Sequence, residues 1–235
     1  SKYDTVGGTV TSLGQAGFIG MAGFLYGVLA VGTDVYFYGS FDEIVDGITN
    51  NSVALYDTTD DTWHKVGTTG ITGAVYCAAA IGSTVYFGGT ITAADGTAYS
   101  RIVSWNGTAF GGLGAGLDGA CYALAVSGTN LVAGGAFTGY LSEWSGSAWT
   151  AISGVNGAVR SITPYLADLY VGGDFTSPGN CIVKYSAGYW TTLGTGLNNA
   201  CRIIIMHGEN VIAGGSFTTA GDKSCQSKLA IYVST

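Results

Sequence analysis

The chain has 235 residues, 47% of them hydrophobic and 12% aromatic, with 40 Gly, 2 Pro and a formal charge of −7. That apolar content excludes a disordered or fibrous chain despite the glycine. The excess of 15 Asp+Glu over 8 Lys+Arg weighs against a phosphate backbone or an anionic lipid surface as partner, so neither nucleic-acid binding nor membrane insertion is expected.

Residues 5–33 carry no charge, and Ala16–Gly32 has the composition of a membrane span. That reading fails because the stretch holds five glycines and aligns with a repeat whose other copies read as soluble strands. The repeat recurs five times, as Val35–Phe41, Val85–Ile91, Leu131–Phe137, Leu169–Phe175 and Val211–Phe217. Its second glycine falls at positions 39, 89, 135, 173 and 215. A period of roughly 40–50 residues is the length of a four-stranded propeller blade.

An apolar strand precedes each block, as in Ala120–Gly128, and two more follow, as in Leu141–Trp144 and Ala148–Ile152. The last copy stops at Lys228–Thr235, which matches a third strand, and Thr9–Gly14 matches the missing fourth. The expected fold is therefore all-β, a five-bladed β-propeller of four-stranded blades, closed by the N-terminal strand completing the last blade. As one domain spanning 1–235, its blades are expected at about 22–67, 73–114, 119–153, 157–194 and 199–235, with residues 9–14 closing the fifth. Trp63, Trp105, Trp144, Trp149 and Trp190 recur on third and fourth strands, which favours packing over sugar stacking.

The Gly-Gly-x-Phe-Thr blocks at 134–138, 172–176 and 214–218 resemble kelch-like propeller repeats, as does the punctuation at Trp105–Phe110 and Leu113–Leu117. The resemblance covers nearly the whole chain. It implies the fold, and it implies cell-surface, secreted or viral settings without an activity. The first copy departs from the pattern, with Tyr38 in place of a glycine.

No catalytic constellation is expected. Gly114–Gly119 fits G-x-G-x-x-G, but a strand rather than a helix should follow it, so no dinucleotide site forms. The aligned leading strands, 25–31, 75–81, 121–127, 159–165 and 201–207, contain no Asp or Glu. A glycosidase needs paired carboxylates about one bond, so that reading is disfavoured. His64 and His207 lie on different repeats, so no metal is expected, and no cofactor. Five cysteines without C-x-x-C read as buried apolar groups. Cys181 and Cys225 are the one pair worth testing for a bridge.

Two uneven features point to recognition. Tyr26, Tyr76, Tyr122, Arg160 and Arg202 stand at one equivalent position of the five leading strands. Paired guanidinium groups beside tyrosines suit a carboxylate-bearing ligand, or they pair with loop carboxylates instead. The loops after the second strand are long in repeats one, two and five, and carry Asp42, Glu43, Asp46, Asp95, Tyr99, Asp222 and Lys223. Asn50-Asn-Ser52 and Asn106-Gly-Thr108 fit glycosylation acceptors. The expected function is a non-enzymatic recognition module at an extracellular, cell or virion surface, with a glycan or a protein receptor as partner. The alternative is a structural subunit, a spike, tail or capsid decoration, whose partners are neighbouring subunits.

Overall fold

The computed structural model describes residues 2–3, 10–11, 23–45 and 48–233. Among them the chain is all-β, without a helix. It divides into two compact units, Ser1–Gly111 and Gly112–Thr235. The first unit holds two four-stranded antiparallel sheets: Phe24–Val31, Asp34–Ser40, Val53–Asp57 and Thr62–His64, then Val75–Ile81, Thr84–Gly89, Ile102–Trp105 and Phe110–Gly111. The second unit holds Cys121–Ser127, Asn130–Gly135, Leu141–Trp144 and Trp149–Ala151, then Val159–Tyr165, Asp168–Gly173, Ile182–Ser186 and Tyr189–Thr192. Its last sheet has three strands, Cys201–His207, Asn210–Gly215 and Leu229–Tyr232. Val10–Thr11 pairs with Lys2–Tyr3. Thr9 and Ser12–Gly14, also expected to complete the fifth sheet, lie outside the described residues.

The Gly-Gly pair has two separate physical causes. A Cβ on Gly89, Gly135, Gly173 or Gly215 would collide with the carbonyl oxygen of Ala74, Ala120, Ala158 or Ala200 respectively. That same carbonyl accepts the amide of the following residue in each repeat, from Thr90, Ala136, Asp174 and Ser216. The first glycine instead admits the next sheet. A Cβ on Gly134 would strike Val159 and Ile162, and one on Gly172 would strike Cys201 and Ile204. Both pairs are core residues of the second unit.

The first repeat inverts this size pattern. Tyr38 replaces the first glycine, lies across Gly27, and hydrogen-bonds the Ala78 backbone of the second sheet. Ala78 is the small counterpart of Ile162 and Ile204. Volume moved to one side of the contact is removed from the other, which is how a close-packed interior tolerates such a change.

The third and fourth strands of every four-stranded sheet are joined by an aromatic pair in direct register: Tyr56 with Trp63, Trp105 with Phe110, Trp144 with Trp149, and Tyr185 with Trp190. Their ring centroids lie 4.7–5.3 Å apart, the range in which cross-strand aromatic pairs stabilise a sheet. In the second unit the indole N–H of Trp149 donates to the Leu113 carbonyl at 2.9 Å, and that of Trp190 to the Ser153 carbonyl at 2.8 Å. These tryptophans serve packing. Gly114–Gly119 runs through turns into the strand Cys121–Ser127, so the helix a dinucleotide site needs does not follow it.

The residue before each third strand has a left-handed backbone although it is not glycine: Ser52, Arg101, Tyr140, Cys181 and Lys228, with φ between 59° and 68°. Its carbonyl accepts the amide of the second glycine in every repeat. The recurring bond holds a conformation that costs L-residues about 1–2 kcal/mol.

Candidate functional site

The five aligned residues Tyr26, Tyr76, Tyr122, Arg160 and Arg202 share a backbone device. In each leading strand the register skips one residue, between Leu25 and Gly27, Val75 and Cys77, Cys121 and Ala123, Val159 and Ser161, and Cys201 and Ile203. The skipped residue is the candidate in all five cases. A β-bulge leaves one residue without a ladder partner and turns its side chain to a new direction. Each bulge sits opposite the Gly-Gly pair, or Tyr38–Gly39 in the first sheet, so the carbonyl that demands the second glycine is part of the same distortion.

In the first unit the ring centroids of Tyr26 and Tyr76 are 5.4 Å apart, and Phe24 stacks on Tyr26 at 6.5 Å. Phe24 is largely exposed and Tyr26 is half exposed. In the second unit Arg160 lies over the Tyr122 ring at 4.9 Å, a cation–π distance. Its Nε donates to Asp174 Oδ2 at 2.7 Å. Asp174 thereby raises the Arg160 pKa, against the opposing pull of burial. Arg160 is thus committed to a carboxylate of its own sheet. Among the described residues Arg202 reaches Ser216 Oγ alone, at 3.4 Å. Asp174 and Ser216 occupy the same place in the repeat, after the glycine pair. The Arg160–Asp174 pairing was therefore available from the aligned repeats, as was its loss at Arg202.

The long loops fold as small hairpins: Glu43–Val45 with Ile48–Thr49, Ala93–Ala94 with Thr97–Ala98, and Thr219–Ala220 with Lys223–Ser224. Their predicted site residues divide in two. Asp95 is structural: its carboxylate accepts the backbone amides of Thr68, Thr69 and Gly70 at 2.9–3.2 Å. Burial pushes its pKa up, but these bonds outweigh burial and hold it below the ordinary range. Tyr99 donates its hydroxyl to the Phe110 carbonyl. Asp222 and Lys223, by contrast, are solvent-exposed and 3.9 Å apart. Asp42 is exposed, Glu43 lies on a hairpin strand, and Asp46 lies outside the described residues.

Asp42 borders a cleft of about 340 Å³ in the first unit, walled by Ser40, Phe41, Asn51, Ser52 and residues 71–74. Ser40 is the register partner of Phe24, and Ala74 runs directly into Val75 and Tyr76. The bulge and the loop therefore lie at the same end of their sheets, because an antiparallel second strand ends where the leading strand begins.

Asn50 is buried, 1% exposed, with Nδ2 on the Val66 carbonyl. The folded chain cannot present it for glycosylation. Asn106 sits in an exposed turn, accepting the amides of Thr108 and Ala109. All five cysteines are free, so Cys181 and Cys225 form no bridge. Burial pushes the Cys201 thiol up to about 12.

Asp57, Asp60 and His64 bring their ligating atoms within 4.8 Å of one another, a grouping not anticipated from spacing. Asp57 Oδ1 accepts the Thr59 amide, as Asn106 does for Thr108 at the equivalent turn, so the turn itself accounts for Asp57.

No protein-family model matches the chain, and no curated protein matches it. Similar folds exist among solved structures. The extracellular domain of a hybrid two-component system from B. thetaiotaomicron is 15% identical over 90% of this chain, with a TM-score of 0.59. This chain spans about a quarter of that one, 26%. A chain of a mitotic checkpoint complex is 17% identical, with a TM-score of 0.60, covering 98% of this chain and 69% of that one. At these identities the likeness concerns the all-β fold alone.

Proposed function

We propose that the chain is a non-enzymatic recognition module that captures a glycan or a protein receptor through the end of its sheets that carries the bulges and long loops. The observation that carries this reading is the set of five bulges, each turning one Tyr or Arg out of the ladder at an equivalent place. Bulges concentrate where a side chain must be re-aimed. The five leading strands contain no carboxylate, which argues against hydrolysis. An extracellular or virion-surface setting is favoured by a chain with only 10% charged residues, and by the extracellular origin of one structural neighbour.

The finer fold we infer is a kelch-like five-bladed propeller. Its closure is supported by unused complementarity. Leu25 and Val28 occupy the positions of Val159 and Ile162 but are about half exposed. Gly214 is a small first glycine of the kind that admits such a pair. Among the described residues Leu229–Tyr232 lacks a fourth strand, and in the sequence residues 9–14 match one, with Val10 aligned to Trp149 and Trp190.

The test is a glycan and receptor-ectodomain array probed with the intact protein. Saturable capture without product formation is expected, weakened at least fivefold by Tyr76→Ala or Arg202→Ala. Capture indifferent to every bulge residue would overturn this reading. A structural subunit is a second reading, favoured specifically by the Leu229–Tyr232 edge, which has no fourth strand among the described residues and which another chain's strand could extend. Strand addition from a partner, blocked by Ile231→Pro, would select it.

A further inference from the structure

The cleft of the first unit has features that the other sheets do not repeat. Its volume, about 340 Å³, is at the lower end of the range for small-ligand sites. Among the described residues its walls present Ser40, Asn51, Ser52 and Thr72 beside the carboxylate-bearing Asp42. Asp42 has no ion-pair partner among the described residues. The aromatic run Phe24–Tyr26–Tyr76 adjoins the same cleft: Phe24 is paired in register with Ser40, and Tyr76 follows two residues after Ala74. Exposed aromatic faces beside hydroxyl, amide and carboxylate groups match a sugar, which offers an apolar C–H face and a rim of hydroxyls.

Charge then selects among sugars. Asp42 is the one acidic side chain among the described residues of the wall, and the chain carries −7 overall. A uronate or sialate would set carboxylate against carboxylate, whereas a neutral sugar's hydroxyls can donate to Asp42. At the position equivalent to Tyr26 and Tyr76 the fourth sheet has Arg160, bonded to Asp174, and at the position of Asp42 it has Thr176, so the two sites do not offer the same chemistry.

We infer that the Ser40–Asp42 and Ile71–Ala74 cleft, with Phe24, Tyr26 and Tyr76 at its border, is a binding site for an uncharged saccharide. The site rests on the recognition reading and gives it a ligand class. The aromatic faces supply contact area, while Asp42 and the hydroxyls fix orientation.

The test compares an array of neutral oligosaccharides (gluco-, galacto- and manno-configured) with the corresponding sialylated and uronate-containing set, using the full chain. Capture on neutral probes is expected, reduced at least tenfold by Tyr26→Ala and by Asp42→Ala, and unchanged by Tyr189→Ala, an exposed aromatic of the fourth sheet. Unchanged thermal melting of each variant separates lost contact from lost fold. Capture restricted to acidic probes and lost with Arg202→Ala overturns the uncharged-saccharide assignment but keeps recognition at the bulge end. Neutral capture insensitive to Tyr26 and Asp42 overturns the location. Absence of all glycan capture overturns the inference, and the recognition reading then depends on receptor-ectodomain binding sensitive to the bulge residues.

Discussion

The third strands of the third and fifth sheets are built to one pattern, yet they differ in burial. Leu141 is 0% exposed and Trp144 8%, whereas their counterparts Leu229 and Tyr232 are 53% and 42% exposed. The sequences, Leu-Ser-Glu-Trp and Leu-Ala-Ile-Tyr, are equally suited to a sheet. Two things differ among the described residues: Leu141 joins the core cluster that holds Val159, Ile162 and Phe175 of the next sheet, and a fourth strand pairs beside its own. Trp149–Ala151 pairs with Ser142–Trp144 and stacks Trp149 on Trp144, while among the described residues Leu229–Tyr232 pairs on one side only. Burial in this fold is thus a property of the repeat's neighbour rather than of the residue itself. An apolar strand left half covered is a surface that stability and solubility both act to close.

The largest expected effect breaks or upholds that contrast directly. Leu141→Ala should cost about 2–5 kcal/mol, the usual range for a fully buried leucine. If residues 9–14 complete the fifth sheet, Leu229→Ala in the full chain should cost within about 1 kcal/mol of the same amount. Urea unfolding of the two variants measures both. A Leu229→Ala cost well under 1 kcal/mol would mean that this edge stays open to solvent, and ring closure would fail with it.

A second contrast lies between the loops. Asp95→Ala removes the acceptor of three backbone amides and should destabilise by about 1–3 kcal/mol. Asp222→Ala, which touches only exposed Lys223, should change stability by less than about 0.5 kcal/mol. The pH dependence follows from the same carboxylate. Its folded pKa is lower than its unfolded value near 3.9. Its contribution is therefore fully present above that unfolded value and is lost as pH falls through the lower folded pKa. Thermal melts between pH 2 and 6 should show an acid-side loss in the wild type that is smaller in Asp95→Asn.

These contrasts also mark what was legible in the sequence. Strand order, the placing of the glycine pair and the packing role of the tryptophans could all be read, because each recurs at one spacing and each repeat tests the others. Four of the five leading strands begin and end where alignment put them, as at Cys121–Ser127 and Val159–Tyr165. The uneven ring was also visible, as Tyr or Arg at one aligned position. Its cause was not, because a bulge is a register event between two strands and has no local residue signature here. The role of Asp95 was hidden for a similar reason: its partners lie 25–27 residues away, in the connection that precedes the second sheet. The Tyr38 departure became intelligible only with Gly27 and Ala78 beside it.

A smaller effect concerns the left-handed residue before each third strand. Lys228 has φ 59° and an exposed side chain, whereas Cys181 has φ 61° with its thiol in the core. Lys228→Gly relieves about 1 kcal/mol of backbone cost, part of it offset by the greater freedom of unfolded glycine. A net gain of about 0.5 kcal/mol is expected, a rise of about 1–2 °C in melting temperature. Cys181→Gly should lower stability instead, because the lost packing exceeds the relief. Equal signs for the two would show that side-chain burial does not decide the balance.

The smallest effect tests the two arginines. Arg160 is partly buried and bonded to Asp174, while Arg202, one sheet on, meets a serine hydroxyl at the limit of hydrogen bonding. Removing Arg160 leaves the Asp174 carboxylate without its cation and the Tyr122 face uncovered. A partly solvated pair of this kind contributes up to about 1 kcal/mol. Arg160→Ala should therefore cost about 0.5–1 kcal/mol, less at high salt, where the pair is screened. Arg202→Ala should be neutral for stability within about 0.3 kcal/mol, since most surface substitutions fall in that range. The two variants then separate holding the fold from meeting a ligand. A side chain free of structural duty can be replaced without loss of stability, so any binding lost with Arg202→Ala belongs to the ligand contact itself. Ser216→Asp sharpens the point by giving Arg202 the partner that Arg160 has. Stability should rise by a few tenths of a kcal/mol, and capture of any carboxylate-bearing ligand through Arg202 should weaken as the new carboxylate takes its place.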